Sequence, residues 1–133
     1  MNNNFYDNID KLKDAGKKIK DIITSRTDIF NSTDLLIVEA DASTGHFSKV
    51  SKGWENTFQY TSDEFCSQPW LSYVHPDDIE PTMQVAENMS NGIPVKNFVN
   101  RYRRKDGSYV MLLWMGEPFK DDKKSYVIAV ELM

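Results

Sequence analysis

The chain has 133 residues, and 16 lysines and arginines stand against 20 aspartates and glutamates, a formal net charge of −4. The resulting pI near 5.1 provides no global positive field to draw the protein toward polyanions, so nucleic-acid binding would need a local patch. Hydrophobic residues at 40% and aromatics at 12% exclude the disordered class and fit one folded domain, which at this length buries roughly two thirds of the surface its unfolded form exposes.

From Phe5 to Ile23 the apolar positions Phe5, Ile9, Leu12, Ile19 and Ile23 recur at alternating spacings of four and three, with Gly16 in the one skipped place. This predicts an amphipathic helix whose other faces, with Lys11, Lys13, Asp14, Lys17, Lys18, Lys20 and Asp21, meet water. The stripe has two uses, as a cover for its own domain or as a dimerisation seam. Arg26 interrupts it before three heptads are complete. Residues 1–31 are therefore set apart from a globular part spanning 32–133.

Beyond Asp34 the pattern becomes extended: LLIVEA, a DASTG turn and HFSKV predict a first hairpin. Short helical signals follow, with Ser62 ahead of Asp63 and Glu64 as an N-cap, while Pro69 and Pro76 forbid one long helix. Asp78 or Glu80 can cap a longer helix with Pro81 near its first turn and an apolar stripe of Ile79, Met83, Ala86 and Met89. Asn91 and Gly92 end it. VKNFVNRYRR, SYVMLLWMGEPF and SYVIAVEL predict three further strands, so the fold class is α+β, an antiparallel sheet with helices on one face.

The basic run from Arg101 to Lys105 is the one local patch that could serve a polyanion. With Lys105, Asp106 and Gly107 in the loop, Tyr102 faces Val110, Asn100 faces Leu112 and Phe98 faces Trp114. Those six share one face, and Arg101 and Arg103 lie on the other with Val99, Tyr109, Met111 and Leu113. The pleat divides the run into a poor phosphate footprint, and no nucleic-acid partner is expected. The apolar members of the outer face need a cover, which an amphipathic helix of this chain or of a partner would supply. On the inner face Asn100 is a polar amide among apolar neighbours, so a protein group, a water or a small ligand must bond to it.

Taken together, GWENTFQYTSDEF, WLSYVHPDD and NRYRRKDGSYVMLLW, in that order and spacing, resemble the PAS domains, and the closing Ala129–Leu132 looks like an altered form of the last strand's end in that family. The resemblance spans about Asp34 to Leu132. It implies a five-stranded antiparallel sheet, the first two strands lying between edges formed by the later ones, with helices enclosing a cavity. It also implies a sensory or dimerisation module that commonly precedes an output domain such as a histidine kinase or a diguanylate cyclase. Flavin photosensors of the family carry a reactive cysteine in an Asn-Cys-Arg segment, but this chain has SQPWL there, with Trp70 near the cysteine's place and Cys66 about four residues early. Haem-binding members use a histidine of the helical region. His75 is the candidate, yet it matches the ordinary HPDD loop residue, so neither flavin nor haem is expected.

The remaining chemistry is sparse. Cys66 is the single cysteine, which excludes an intrachain disulfide and a multi-cysteine zinc site and fits a reducing compartment. Asp77 and Asp78 read as carboxylates at a helix N-terminus rather than as an acid–base pair. His46 has no neighbour suited to a metal pair, so no metal is expected. Met83, Met89, Met111 and Met115, with Trp54, Phe58, Phe65 and Trp70, suit either an adaptable pocket or a filled core. With no signal-like or membrane-spanning apolar run, the expected protein is a cytoplasmic, non-catalytic sensor, homodimeric through Phe5, Ile9, Leu12, Ile19 and Ile23. Its small-ligand pocket would have Asn100 and Tyr102 as polar contacts and Phe98, Leu112, Trp114 and Met83 as walls. A ligand-free dimerisation or protein-interaction module is the rival reading.

Overall fold

The computed structural model describes residues 10, 11, 13, 14, 16, 17 and 30 and the continuous stretch 35–132. Five strands form one antiparallel sheet: β1 (Leu36–Asp41), β2 (His46–Val50), β3 (Val95–Arg103), β4 (Tyr109–Gly116) and β5 (Lys124–Leu132). Helices α1 (Gly53–Phe58), α2 (Ser62–Cys66) and α3 (Ile79–Ser90), with 3₁₀ turns at Trp70–Ser72 and Pro76–Asp78, lie between β2 and β3 in the chain.

The spatial order is β2-β1-β5-β4-β3, which corrects the expectation that the first two strands lie between the later ones. The physical reason is in β5, whose Val127, Ile128 and Ala129 are all buried. A strand apolar on both faces belongs in the middle of a sheet, and β5 takes that place between β1 and β4. The exposed edges are managed differently. At β3, residues 73–78 run alongside: Val74 bridges Tyr102, His75 N–H donates to the Arg101 carbonyl at 2.9 Å and Arg103 N–H to that of Tyr73 at 2.8 Å. The edge strand β2 is only five residues long and carries an exposed lysine, Lys49, both features that discourage edge-to-edge pairing.

Local chemistry accounts for the elements. Helix α2 begins with a capping box in which Thr61, rather than Ser62, is the N-cap: its hydroxyl accepts from Glu64 N–H and the Glu64 carboxylate accepts from Thr61 N–H. The β3–β4 hairpin has the register derived from the sequence, with Phe98 opposite Trp114, Asn100 opposite Leu112 and Tyr102 opposite Val110. Gly107 in its loop has φ +93°, a conformation that disfavours any side chain. At the other end of β4, a Cβ on Gly116 would lie 2.8 Å from a Val127 methyl and 3.0 Å from its Cα, so this glycine lets β4 and β5 approach.

Most of the core lies between the helices and one face of the sheet, where Val38, Phe47, Trp54, Phe58, Phe65, Tyr73, Tyr102, Leu112 and Trp114 are buried. Trp54 ties α1 down over β1, its indole N–H donating to the Ile37 carbonyl at 3.1 Å. A smaller cluster of Ile37, Leu113 and Ile128 is buried on the outer face. Residues 10, 11, 13, 14, 16 and 17 are helical, and a Cβ built on Gly16 would lie 3.4 Å from the Met115 methyl. The helix therefore passes over the outer face at Met115. The stripe residues Phe5, Ile9, Leu12, Ile19 and Ile23 lie outside the described residues.

Candidate functional site

The inner face of the β3–β4 hairpin and helix α3 flank a cavity of about 60 Å³ that is partly open to solvent. Phe98, Asn100, Tyr102 and Trp114 line it from the hairpin, Ala40, Phe47 and Val127 from the other strands, and Thr82, Val85, Ala86 and Met89 from α3, with Trp70, Val95 and Phe119 completing the wall. Rigid rings hold one side of it in shape. Tyr102 lies 5.4 Å from Trp114, Trp54 lies 5.8 Å from Trp114, and Phe47 stacks on Trp70 at 5.7 Å between centroids.

A hydrogen-bonded chain of side chains runs through this wall. Trp114 Nε1–H donates to Asn100 Oδ1 at 2.7 Å, Asn100 Nδ2–H donates to Thr82 Oγ1 at 3.1 Å, and Thr82 O–H donates to the Asp78 carbonyl at 2.7 Å. The Asp78 carboxylate accepts from Arg101 N–H at 2.8 Å and from Arg101 Nε and Nη2 at 2.9 Å each. The hydrogen bonds from Arg101 hold the Asp78 carboxyl below its ordinary pKa. The amide that had to find a partner thus finds two within the protein. Through them β4, β3 and α3 are joined to an ion pair at the sheet edge.

The expected site residues divide accordingly. Asn100, Tyr102, Phe98 and Trp114 come together around the cavity, whereas Leu112, fully buried on the same face, does not line it. Met83 is displaced altogether: it is 53% exposed, and Thr82 faces inward in its place. Hydrophobicity alone selects Met83 for the helix stripe, but the buried Asn100 amide needs a hydroxyl beside it, and the helix presents Thr82. Trp70 and Met89, named in the sequence for either a pocket or a core, line the wall, and Thr82 is its one hydroxyl-bearing helix residue that the sequence left unassigned. The only signal for Thr82 was its position between Ile79 and Ala86 on one helical face.

The other candidates have structural partners. Asp78 is the N-cap residue of α3 without a side-chain cap bond, because its carboxylate holds Arg101. His75 Nδ1 accepts from Asp77 N–H at 3.1 Å, and its ring lies 4.8 Å from that of Tyr109. His46 Nδ1 is 3.0 Å from the Cys66 carbonyl, and burial pushes the Cys66 thiol pKa up, which disfavours the reactive thiolate. Among the described residues no three His, Cys, Asp or Glu side chains are grouped to hold a metal ion. The basic run is engaged too: Arg104 Nε donates to the Thr57 carbonyl at 2.9 Å and Lys105 pairs with Glu64 at 3.1 Å.

The family model for the PAS fold matches residues 47–130, from β2 through most of β5. The chain belongs to the PAS-fold family. Solved PAS structures share its architecture at low sequence identity. A PAS domain from Colwellia psychrerythraea aligns with a TM-score of 0.65 and 20% identity over 84% of this chain and 97% of that one. A domain of a sensory box sensor histidine kinase/response regulator from Geobacter sulfurreducens gives 0.62 and 18% over 89% and 95%. The Drosophila melanogaster Cycle PAS-B domain with bound ethylene glycol gives 0.62 and 24% over 72% and 96%. No curated protein matches the chain. Among the described residues no helix of this PAS domain is long and apolar enough to cross a membrane.

Proposed function

We propose that this PAS domain is a non-catalytic sensory module that takes a small molecule into the inner cavity and passes the change to an output. The observation that carries the reading is the coincidence of an apolar pocket with the hydrogen-bonded Trp114, Asn100 and Thr82 in its wall, a chain that continues through the Asp78 main chain to the Asp78–Arg101 pair. A ligand that moves Asn100 or α3 alters the partners of the Arg101–Asp78 pair at the sheet edge, and the domain then favours one of two packings. The receiver is a second copy paired through the N-terminal helix, or an output domain such as a histidine kinase or a diguanylate cyclase. The neighbour from a sensor histidine kinase/response regulator supports that class of output.

Size restricts the ligand. A dry 150 Å³ cavity holds benzene, so about 60 Å³ suits roughly two to four heavy atoms and no flavin or haem ring. The ethylene glycol bound by Cycle PAS-B is a molecule of this size. Very small ligands gain at most about 1.5 kcal/mol per heavy atom, so such an occupant binds no tighter than tens of micromolar. The test is thermal unfolding with millimolar small metabolites. A selective ligand raises the melting temperature in proportion to ln(1 + [L]/Kd), and a flat response across compounds of this size removes the sensory reading.

A second reading, a ligand-free interaction module, is favoured by the exposed outer-face residues Val99, Tyr109 and Met111. Sedimentation of the unaltered chain beside an Ile9→Asp, Leu12→Asp, Ile19→Asp variant tests the dimer. Loss of a dimer in the variant supports pairing through the helix, and a monomer in both forms leaves the helix as a cover only.

A further inference from the structure

We infer that His75 is a proton-operated latch on the segment that covers the β3 edge, so that the domain responds to pH whether or not its cavity takes a ligand. Residues 73–78 lie along β3, where His75 N–H donates to the Arg101 carbonyl at 2.9 Å and Arg103 N–H to that of Tyr73 at 2.8 Å. Within that segment the imidazole is the N-cap of the 3₁₀ turn Pro76–Asp78, its Nδ1 accepting from Asp77 N–H at 3.1 Å. A ring nitrogen that accepts carries no proton, which fixes the neutral imidazole with its hydrogen on Nε2. Protonation turns the acceptor into a second donor, and two donors then face each other. The cap is lost.

The surroundings decide where the charged ring goes. On its own segment the Asp77 carboxylate stands 4.0 Å from Nδ1, and the adjoining Asp78 carboxylate is committed to Arg101. From β3 come Arg101 itself and Arg103, which stands opposite Tyr109 in the hairpin register. From β4 comes Tyr109, whose ring lies 4.8 Å from the imidazole. Because Arg101 occupies Asp78, the 78% exposed Asp77 carboxylate takes the new N–H. Turning Nδ1 from the Asp77 main chain to its side chain draws the ring off Tyr109 and alters the turn that carries Asp78. Asp78 holds Arg101 by its carboxylate and Thr82 by its carbonyl, and Thr82 accepts from Asn100, so the change reaches the inner face. The capped arrangement excludes the proton, and acid therefore favours the uncapped one. Histidine changes charge between about pH 5 and 8, which is where the latch is to be sought.

The experiment is NMR of the whole chain between about pH 8 and about pH 5, beside two variants. His75→Asn keeps a capping oxygen that does not titrate, and His46→Gln removes the other histidine of the chain. In the parent the imidazole nitrogen signals at the high end should show Nδ1 unprotonated, and the Asp77 amide, Arg101 Nε–H and Trp114 indole signals should follow the His75 titration together. His46→Gln should keep that response and His75→Asn should abolish it. Amide hydrogen exchange gives its size: at about pH 5.5 the Arg103 amide should be protected roughly two- to tenfold less in the parent than in His75→Asn, the range of one hydrogen bond, and equally in both at about pH 8. A proton on Nδ1 at high pH, a response that persists in His75→Asn, or Arg103 protection equal in the two forms at both pH values overturns the inference. So does a titration of His75 that leaves the Asp77, Arg101 and Trp114 signals unmoved.

Discussion

The two faces of the sheet are drawn from alternate residues of the same strands, yet they are closed in different ways. On the inner face of β4, Val110, Leu112 and Trp114 are all buried, under a continuous layer that includes Trp54, Phe58, Phe65 and α3. On the outer face of the same strand, Leu113 is fully buried while Met111, two residues away, is 44% exposed beside Val99 at 36% and Tyr109 at 39%. The contact of Gly16 with Met115 places a helical cover toward the far end of β4. Residues Val99, Tyr109 and Met111, at the other end, remain open. A complete cover fixes side chains tightly enough to build an internal hydrogen-bonded chain, whereas a partial one leaves apolar surface free to meet something else.

Substitutions on the two faces should separate accordingly. Trp54→Ala should have the largest effect, a loss of about 3–5 kcal/mol, because it opens the aromatic layer and removes the indole bond to the Ile37 carbonyl, which keeps Ser51 N–H; urea unfolding measures it. Asn100→Ala should cost about 1–3 kcal/mol, since Trp114 N–H loses its acceptor and Thr82 its donor in a buried place. Comparable stability of Asn100→Ala and the parent would show that the chain does not tie the layers together.

Asp78→Asn should have a smaller effect, about 1–2 kcal/mol near neutral pH, since Arg101 is partly exposed and water screens the pair. The pH dependence has a definite sign. The Asp78 carboxyl is held below its ordinary pKa, so its contribution is complete above the unfolded value of 3.8 and is lost as pH falls through the lower folded value. The stability difference between parent and variant should therefore shrink in acid, as unfolding curves between neutral pH and strong acid would show. The base side has a counterpart in Tyr73, whose pKa burial pushes up to about 12. Its contribution is complete below the ordinary value of 10.0 and is lost as pH rises toward that of the folded state.

The smallest change is expected outside. Met111→Glu should alter stability by less than about 0.5 kcal/mol, since nearly half of the residue meets water already. A loss above 2 kcal/mol in the same unfolding assay would mean that the open end of the outer face is covered in solution, and the contrast between the faces would disappear.

Several features of the site were legible residue by residue. The KDG loop determined the hairpin register, and from it came the inward placement of Asn100 and Tyr102, because strand side chains alternate with a period of two. The N-cap of α2 was misplaced by one residue, Ser62 for Thr61, since adjacent hydroxyls offer equal capping chemistry until the backbone chooses between them. Met83 and Thr82 were exchanged for a related reason. A helical stripe admits a neighbour one position away, and the partner that decides between them, Asn100, lies 18 residues along the chain. The Asp78–Arg101 pair spans 23 residues and had no local signature.

The amino-acid order by itself determined which segments become strands and helices, which side of each strand is apolar, and that one amide must be buried, all consequences of spacings of a few residues. Only the tertiary structure decided which strand takes the centre of the sheet, which helix residue meets Asn100, and that the Asp78 carboxylate holds Arg101 rather than capping its own helix. Those outcomes depend on groups brought together from distant parts of the chain, where each polar atom competes for partners that local sequence does not specify.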